Sequence, residues 1–194
     1  AGERKLSFLV LMWRGRTAAM GAVSRMRKGA PVPGAGLASK LCAFAKTAAY
    51  IARVTSVLYN RDILRLAASI PHLGRLERPH GSAEKRSPVC GSRVVVDVEL
   101  DAQGRVIALG QEVKACALGQ ASAALMGAAA LGRRPPELAE ARDALTGYLA
   151  GTRDDPGSWP GLDIFHEARP YKARHASILL AFQAVAEAAA EASR

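Results

Sequence analysis

The sequence predicts an α+β fold from about residue 57 onward: a small antiparallel β-sheet with helices packed on one face. Three observations carry that expectation. Arg93–Leu100 (RVVVDVEL) is a dense run of β-branched and apolar residues, the pattern of a strand. A turn and a second strand-like run follow at once. Everything after that reads as helix, and strands followed by helices indicate segregated layers.

The elements follow in chain order. Residues 1–56 form a basic leader, disordered or partly helical. It is Arg-rich, poor in acids and dotted with Ser and Ala, the composition of a transit peptide or of a disordered tail. PVPGAG at Pro31–Gly36 interrupts it like a linker. Leu37, Leu41, Phe44, Ala48 and Ile51 then recur at helical spacing. The domain spans 57–194 and opens with a helix over Val57–Ser69, apolar at Leu58, Ile63, Leu64, Leu66 and Ala67. Pro71, Gly74 and Pro79 mark an irregular stretch to about Arg86. Arg93–Leu100 and Arg105–Lys114 form a hairpin about the turn Asp101–Gly104. Gly119–Gly132 is a helix of small residues suited to close packing. Glu137–Leu149 is a helix started by Pro135 and Pro136. Gly151–Pro170 reads as a long loop anchored by Trp159, and Lys172–Ala192 as an Ala-rich final helix.

Composition narrows the function. The chain has 194 residues, 49% of them apolar, enough for a core, but only 5% aromatic. Its formal charge of +10 is uneven. Residues 1–53 hold ten Lys/Arg against Glu3, which leaves seventeen basic and sixteen acidic groups in the rest. The basic pI therefore belongs to the leader, and no nucleic-acid partner is expected for the domain. Three cysteines, Cys42, Cys90 and Cys116, are too few and too odd for a disulfide framework and point to a reducing compartment. A cytoplasmic, bacterial location is expected, or an organelle if the leader directs import. No apolar run of about 18 residues exists, so no membrane span is expected.

Three positions could carry chemistry. Cys90 lies in Pro88-Val89-Cys90-Gly91-Ser92, just before the first strong strand. Cys116 lies at the end of the return strand, and His175 at the start of the last helix. Antiparallel pairing brings the two cysteines to one end of the hairpin. A thiol at a helix N-terminus is expected to ionise below the usual value of about 8.5, which favours Cys116 as the more reactive one. Taken alone, two cysteines flanking strands are more often small core residues than ligands. His72, His80 and His166 read as solvated, and Cys42 as a leader residue without a role. No phosphate loop, Ser/His/Asp order or paired acids point to an enzyme.

The order Pro-x-Cys-Gly, hairpin, Ala-Cys with Gln120-Ala121-Ser122-Ala123, and Pro170-Tyr171-Lys172-Ala173-Arg174-His175 before a final helix resembles the iron–sulfur cluster assembly scaffold family, the NifU N-terminal, IscU and SufU type. The likeness runs from about Tyr59 to Ala192, including Leu58–Leu64, and is nearest to the SufU branch. It implies a SufE/NifU-like fold and a scaffold or sulfur-acceptor role. It also implies a transient iron–sulfur cluster or zinc as cargo, and a cysteine desulfurase and apo iron–sulfur acceptor proteins as partners.

In that family three Cys and an Asp converge on one site. The resemblance matches the first two Cys to Cys90 and Cys116. The Asp matches Ser92, a weak fourth ligand at best. The third Cys falls on His175 in the SufU pattern, or on Ala176 beside a kept His175 in the IscU pattern. The implied set is therefore Cys90, Cys116 and His175. His can replace Cys on zinc or on a cluster. Two thiolates and a neutral imidazole carry less charge than the family set, which lowers metal retention. Three readings follow: a working scaffold; a degenerate member that keeps the fold as a binding module; and zinc-dependent sulfur transfer. A homodimer would pool four thiolates.

Overall fold

Asn60 opens the first helix: its side-chain oxygen accepts the Ile63 N–H at 2.9 Å, so α1 runs Arg61–Ala67. The computed structural model describes residues 58–88 and 90–194; the leader over 1–56, Cys42 and the start of the expected Val57–Ser69 helix lie outside the described residues. Beyond α1 the order is β1 (Gly81–Arg86), β2 (Arg93–Leu100), β3 (Val106–Lys114), α2 (Ala117–Ala130), α3 (Pro135–Ala150), a 3₁₀ segment (Leu162–Ala168) and α4 (Lys172–Ala192). The strands form one antiparallel sheet in the order β1-β2-β3.

The sheet has one strand more than the sequence suggests. β1 reads GSAEKR, with no β-branched or aromatic residue, inside a stretch expected to be irregular. It forms because β2 offers a partner and because its small inward residues, Gly81 and Ala83, admit α4. A Cβ on Gly81 would stand 2.1 Å from the Ala188 carbonyl oxygen. The long loop likewise contains the 3₁₀ turn Leu162–Ala168, which buries Leu162, Phe165 and Ala168.

β2 is the central strand and is buried on both faces. Val94, Val96, Val98 and Leu100 join the core beneath the helices. α4 is the hub of that core, packing on β1, β2, α2 and α3. Trp159 pins the long loop as expected: its indole N–H donates to the Leu125 carbonyl at 3.0 Å and its ring meets Phe182 edge-on.

The opposite face carries Val95 and Asp97, and the segment after α1 crosses it. Gly74 N–H donates to the Gln111 carbonyl and Gln111 N–H to the His72 carbonyl, which stitches the segment to the β3 edge. It then passes over Gly110, where a Cβ would meet Gly74 O at 2.9 Å. Beyond it, Arg75 grips the fully buried Asp97 with Nε and Nη2, while Leu76 N–H donates to the same carboxylate at 3.1 Å. Among the described residues, no helix is long and apolar enough to cross a membrane.

Candidate functional site

The β1–β2 turn presents Cys90. Ser87 N–H donates to the Ser92 carbonyl at 2.8 Å and Gly91 N–H to the Ser87 carbonyl at 3.2 Å, with Gly91 in the left-handed region at φ 67°. This tight turn leaves Cys90 exposed while Ser92, 4% exposed, points inward. Cys116 follows β3 and serves as N-cap of α2, its carbonyl accepting the Gln120 N–H at 2.9 Å. Register pairs Arg93 with Lys114, so both thiols sit at the same end of the sheet.

A third element completes the site. The first turns of α4 lay Ser177, 1% exposed, against the start of α2. Gly119 makes that possible, since a Cβ there would stand 2.6 Å from Ser177 Oγ. The result is a hydroxyl chain joining the thiols. Cys90 Sγ lies 3.0 Å from Ser92 Oγ, Ser92 Oγ 3.3 Å from Ser177 Oγ, and Ser177 Oγ 3.2 Å from Cys116 Sγ. Ser87 Oγ adds a second hydroxyl 3.2 Å from Cys90 Sγ.

The electrostatics follow from this packing. Partial desolvation pushes the Cys90 thiol up, but the Ser87 and Ser92 hydroxyls, the Ser92 backbone and the Ser177 hydroxyl outweigh it and bring the pKa down to about 7. The sequence did not foresee that local donors draw the Cys90 thiol down. Tyr59 belongs to the same group. Its phenol is raised first by burial, then by Cys116, which it also meets through a hydrogen bond, and by Cys90, while the Arg174 guanidinium pulls it down.

His175 is turned elsewhere. Its Nε2 lies 3.1 Å from the Ala168 carbonyl and 3.0 Å from the Arg169 carbonyl, so this nitrogen carries the hydrogen and is spent on the end of the 3₁₀ segment. Among the described residues, no three His, Cys, Asp or Glu side chains gather closely enough to hold a metal ion. The structure thus brings together Cys90, Cys116 and Ser92, and does not bring His175 to them. Two thiols do suit a thiophilic metal or cluster, as two of its ligands. The remaining histidines are exposed, yet His80 Nδ1 accepts the Leu100 N–H and His166 Nδ1 meets the Tyr148 hydroxyl.

Sequence reasoning missed Ser177, Tyr59, Arg174 and Ser87. Helical phase was the available signal for two of them, because Arg174 and Ser177 are three apart and share a face of α4.

No family model matches this chain, and no curated protein matches it. Solved structures do. An N-terminal nitrogen-fixing NifU-like protein from Brucella abortus is 38% identical, with a TM-score of 0.68 over 72% of this chain and 97% of that one. A putative iron–sulfur cluster assembly scaffold protein for the SUF system from the thermophile Fervidobacterium islandicum AW-1 is 21% identical, with a TM-score of 0.64 over 70% of this chain and 98% of its own. A hypothetical protein, 20% identical with a TM-score of 0.55, shares the fold over 70% of this chain. Identity of 38% across nearly the whole of the Brucella structure, on a shared three-stranded α+β fold, means that this chain belongs to the NifU/IscU/SufU-like family.

Proposed function

We propose that this protein is an iron–sulfur cluster assembly scaffold that holds its cargo through Cys90 and Cys116. The observation that carries the reading is the hydroxyl-linked thiol pair at one end of the sheet, in a member of a family that includes named scaffolds. Cys90 is exposed and ionises near pH 7, so at neutral pH it offers a thiolate to an incoming metal or to a sulfur donor. Two thiolates give a ligand charge of about −2, weaker than a full thiolate set, which suits cargo that must leave again. Zinc would use the same sulfurs.

The resemblance also offers His175, whose Nε2 is held by the Ala168 and Arg169 carbonyls, so the two sulfurs carry the hold on the cargo. Ser92 is buried and engaged with Cys90 and Ser177, so its part is to hold the sulfurs more than to bind metal. The partners this reading requires are a cysteine desulfurase as sulfur donor and apo iron–sulfur proteins as recipients. The role is that of a carrier.

Anaerobic reconstitution with iron and sulfide tests it. The expected result is a visible charge-transfer absorbance that disappears in Cys90→Ala and in Cys116→Ala. A colourless, iron-free product from the unsubstituted protein would replace the scaffold by a binding module that keeps only the fold.

A further inference from the structure

The end of the sheet remote from the sulfurs is built by the β2–β3 turn and the α2–α3 connection. Asp101 N–H donates to the Arg105 carbonyl at 2.9 Å, which closes the turn. The connection then joins the first residue of β3. Gly132 N–H donates to the Val106 carbonyl at 2.8 Å, and Val106 N–H to the Arg133 carbonyl at 2.9 Å. Arg105 Nη1 reaches the Gly132 carbonyl at 3.2 Å. These bonds bring two kinds of side chain to one surface. Arg105 and Arg134 line a shallow hollow with Pro136 and Glu137. Ile107 and Leu131, the chain neighbours of the joined Val106 and Gly132, stand 56% and 46% exposed.

The two guanidiniums are left over from the local pairing. Glu137 is spent on Arg133 Nη1 at 3.1 Å and on the Arg134 N–H at 2.8 Å. Asp101 Oδ1 accepts the N–H groups of Gln103 and Arg105 at 2.9 Å and 2.7 Å. Arg133 also lies over the Trp159 ring, 5.5 Å from its centroid. Among the described residues, neither Arg105 nor Arg134 forms an ion pair. The first amides of α3 add nothing, because Pro135 and Pro136 have no N–H and Glu137 N–H is taken by the Arg134 carbonyl at 3.0 Å. The unmet positive charge is therefore that of side chains.

A guanidinium takes a carboxylate or a phosphate in a two-pronged grip. The apolar groups beside the arginines choose between them. Nucleic-acid bases want aromatic rings to stack on, whereas Ile107 and Leu131 are aliphatic and suit the side chains of a protein. We propose that this end of the domain is a docking surface for an acidic segment of a partner protein. Its carboxylates meet Arg105 and Arg134, and its apolar side chains cover Ile107 and Leu131. From Arg93, at the thiol end of β2, to Leu100 the strand covers roughly 23 Å at about 3.3 Å per residue. A partner held here leaves Cys90 open, whatever the thiols carry.

The probe is a short blocked peptide alternating leucine and glutamate, titrated into the isotopically labelled full chain and followed by amide NMR. The expected result is a group of shifted amides at Arg105, Ile107, Leu131 and Arg134. Binding should weaken roughly tenfold in the double variant Arg105→Gln/Arg134→Gln, and again in Ile107→Ser/Leu131→Ser, since each removes one half of the contact. All four side chains are exposed, so these variants keep the fold, which circular dichroism checks. Iodoacetamide should alkylate Cys90 at the same rate with and without the peptide. Shifts confined to residues 1–53 would overturn the proposal, because the peptide would then read only the basic leader. Equal affinity at these amides for an all-glutamate peptide or for an oligonucleotide of the same charge would also overturn it, as would protection of Cys90 by the peptide.

Discussion

Cys90 owes its character to neighbours that a linear reading cannot see. Its thiol is held near pH 7 by hydroxyls from its own turn and from α4. Alkylation of Cys90 by iodoacetamide, followed by peptide mass spectrometry, should therefore rise through about pH 7, and Ser92→Ala should move that rise toward the ordinary thiol range of about 8.5. The sign for stability follows. A thiol whose folded pKa is depressed contributes stability that is present above its unfolded value and is lost as pH falls through about 7. Asp97 obeys the same rule in acid. Burial pushes its carboxyl up, but the Arg75 guanidinium, the Ser82 hydroxyl and the Leu76 N–H hold it below the usual range. Its contribution is present above about pH 3.9 and is lost as pH falls through its lower folded value. Asp97→Asn should cost about 1–3 kcal/mol at neutral pH, read from the urea midpoint, and should flatten the acid limb of the stability profile. The two cysteines were legible because their residue type and flanking turns announce them. Ser177 and Tyr59 were not, because a serine inside an Ala-rich helix and a tyrosine before a short one acquire meaning only from what packs against them.

Close approach between elements governs the next scale. Alanine is worth about 1 kcal/mol more than glycine inside a helix, yet Gly119→Ala should destabilise. Its Cβ would stand 2.6 Å from Ser177 Oγ and 2.8 Å from Ala115 Cβ, and forcing such contacts costs about 1–3 kcal/mol. Chemical denaturation should show a lower midpoint with an unchanged slope, and the charge-transfer absorbance of the reconstituted protein should change with it. Gly81→Ala should be harsher, because its Cβ would meet the backbone of α4 at 2.1 Å and no side-chain rotation relieves that. The same residue explains why β1 escaped the sequence reading. Strand signals are written in β-branched and aromatic residues, whereas β1 is an edge strand selected for smallness beneath a helix and for charge on its outer side, where Glu84 pairs with Arg93. The hairpin of β2 and β3, the three long helices and the anchoring by Trp159 were all legible, since each is driven by apolar periodicity, by proline and glycine punctuation, or by a single large ring.

At the scale of the whole molecule, charge divides by sequence. Residues 1–53 hold ten of the 27 basic groups and one of the 17 acids, so their removal leaves a chain carrying +1. Deleting them should abolish retention on an immobilised polyanion and its steep salt dependence, while leaving the charge-transfer absorbance from Cys90 and Cys116 unchanged. α4 has a different reach. It covers the inner face of β1 and β2, packs on α2 and α3, and carries Ser177, yet it follows every other described element. During synthesis, 78 residues separate the end of β3 from the end of α4. At roughly 5–20 residues per second, the sheet waits about 4–16 s with the valines of its inner face bare. The nascent chain is thus most open to misassembly through those bare valines before α4 is made.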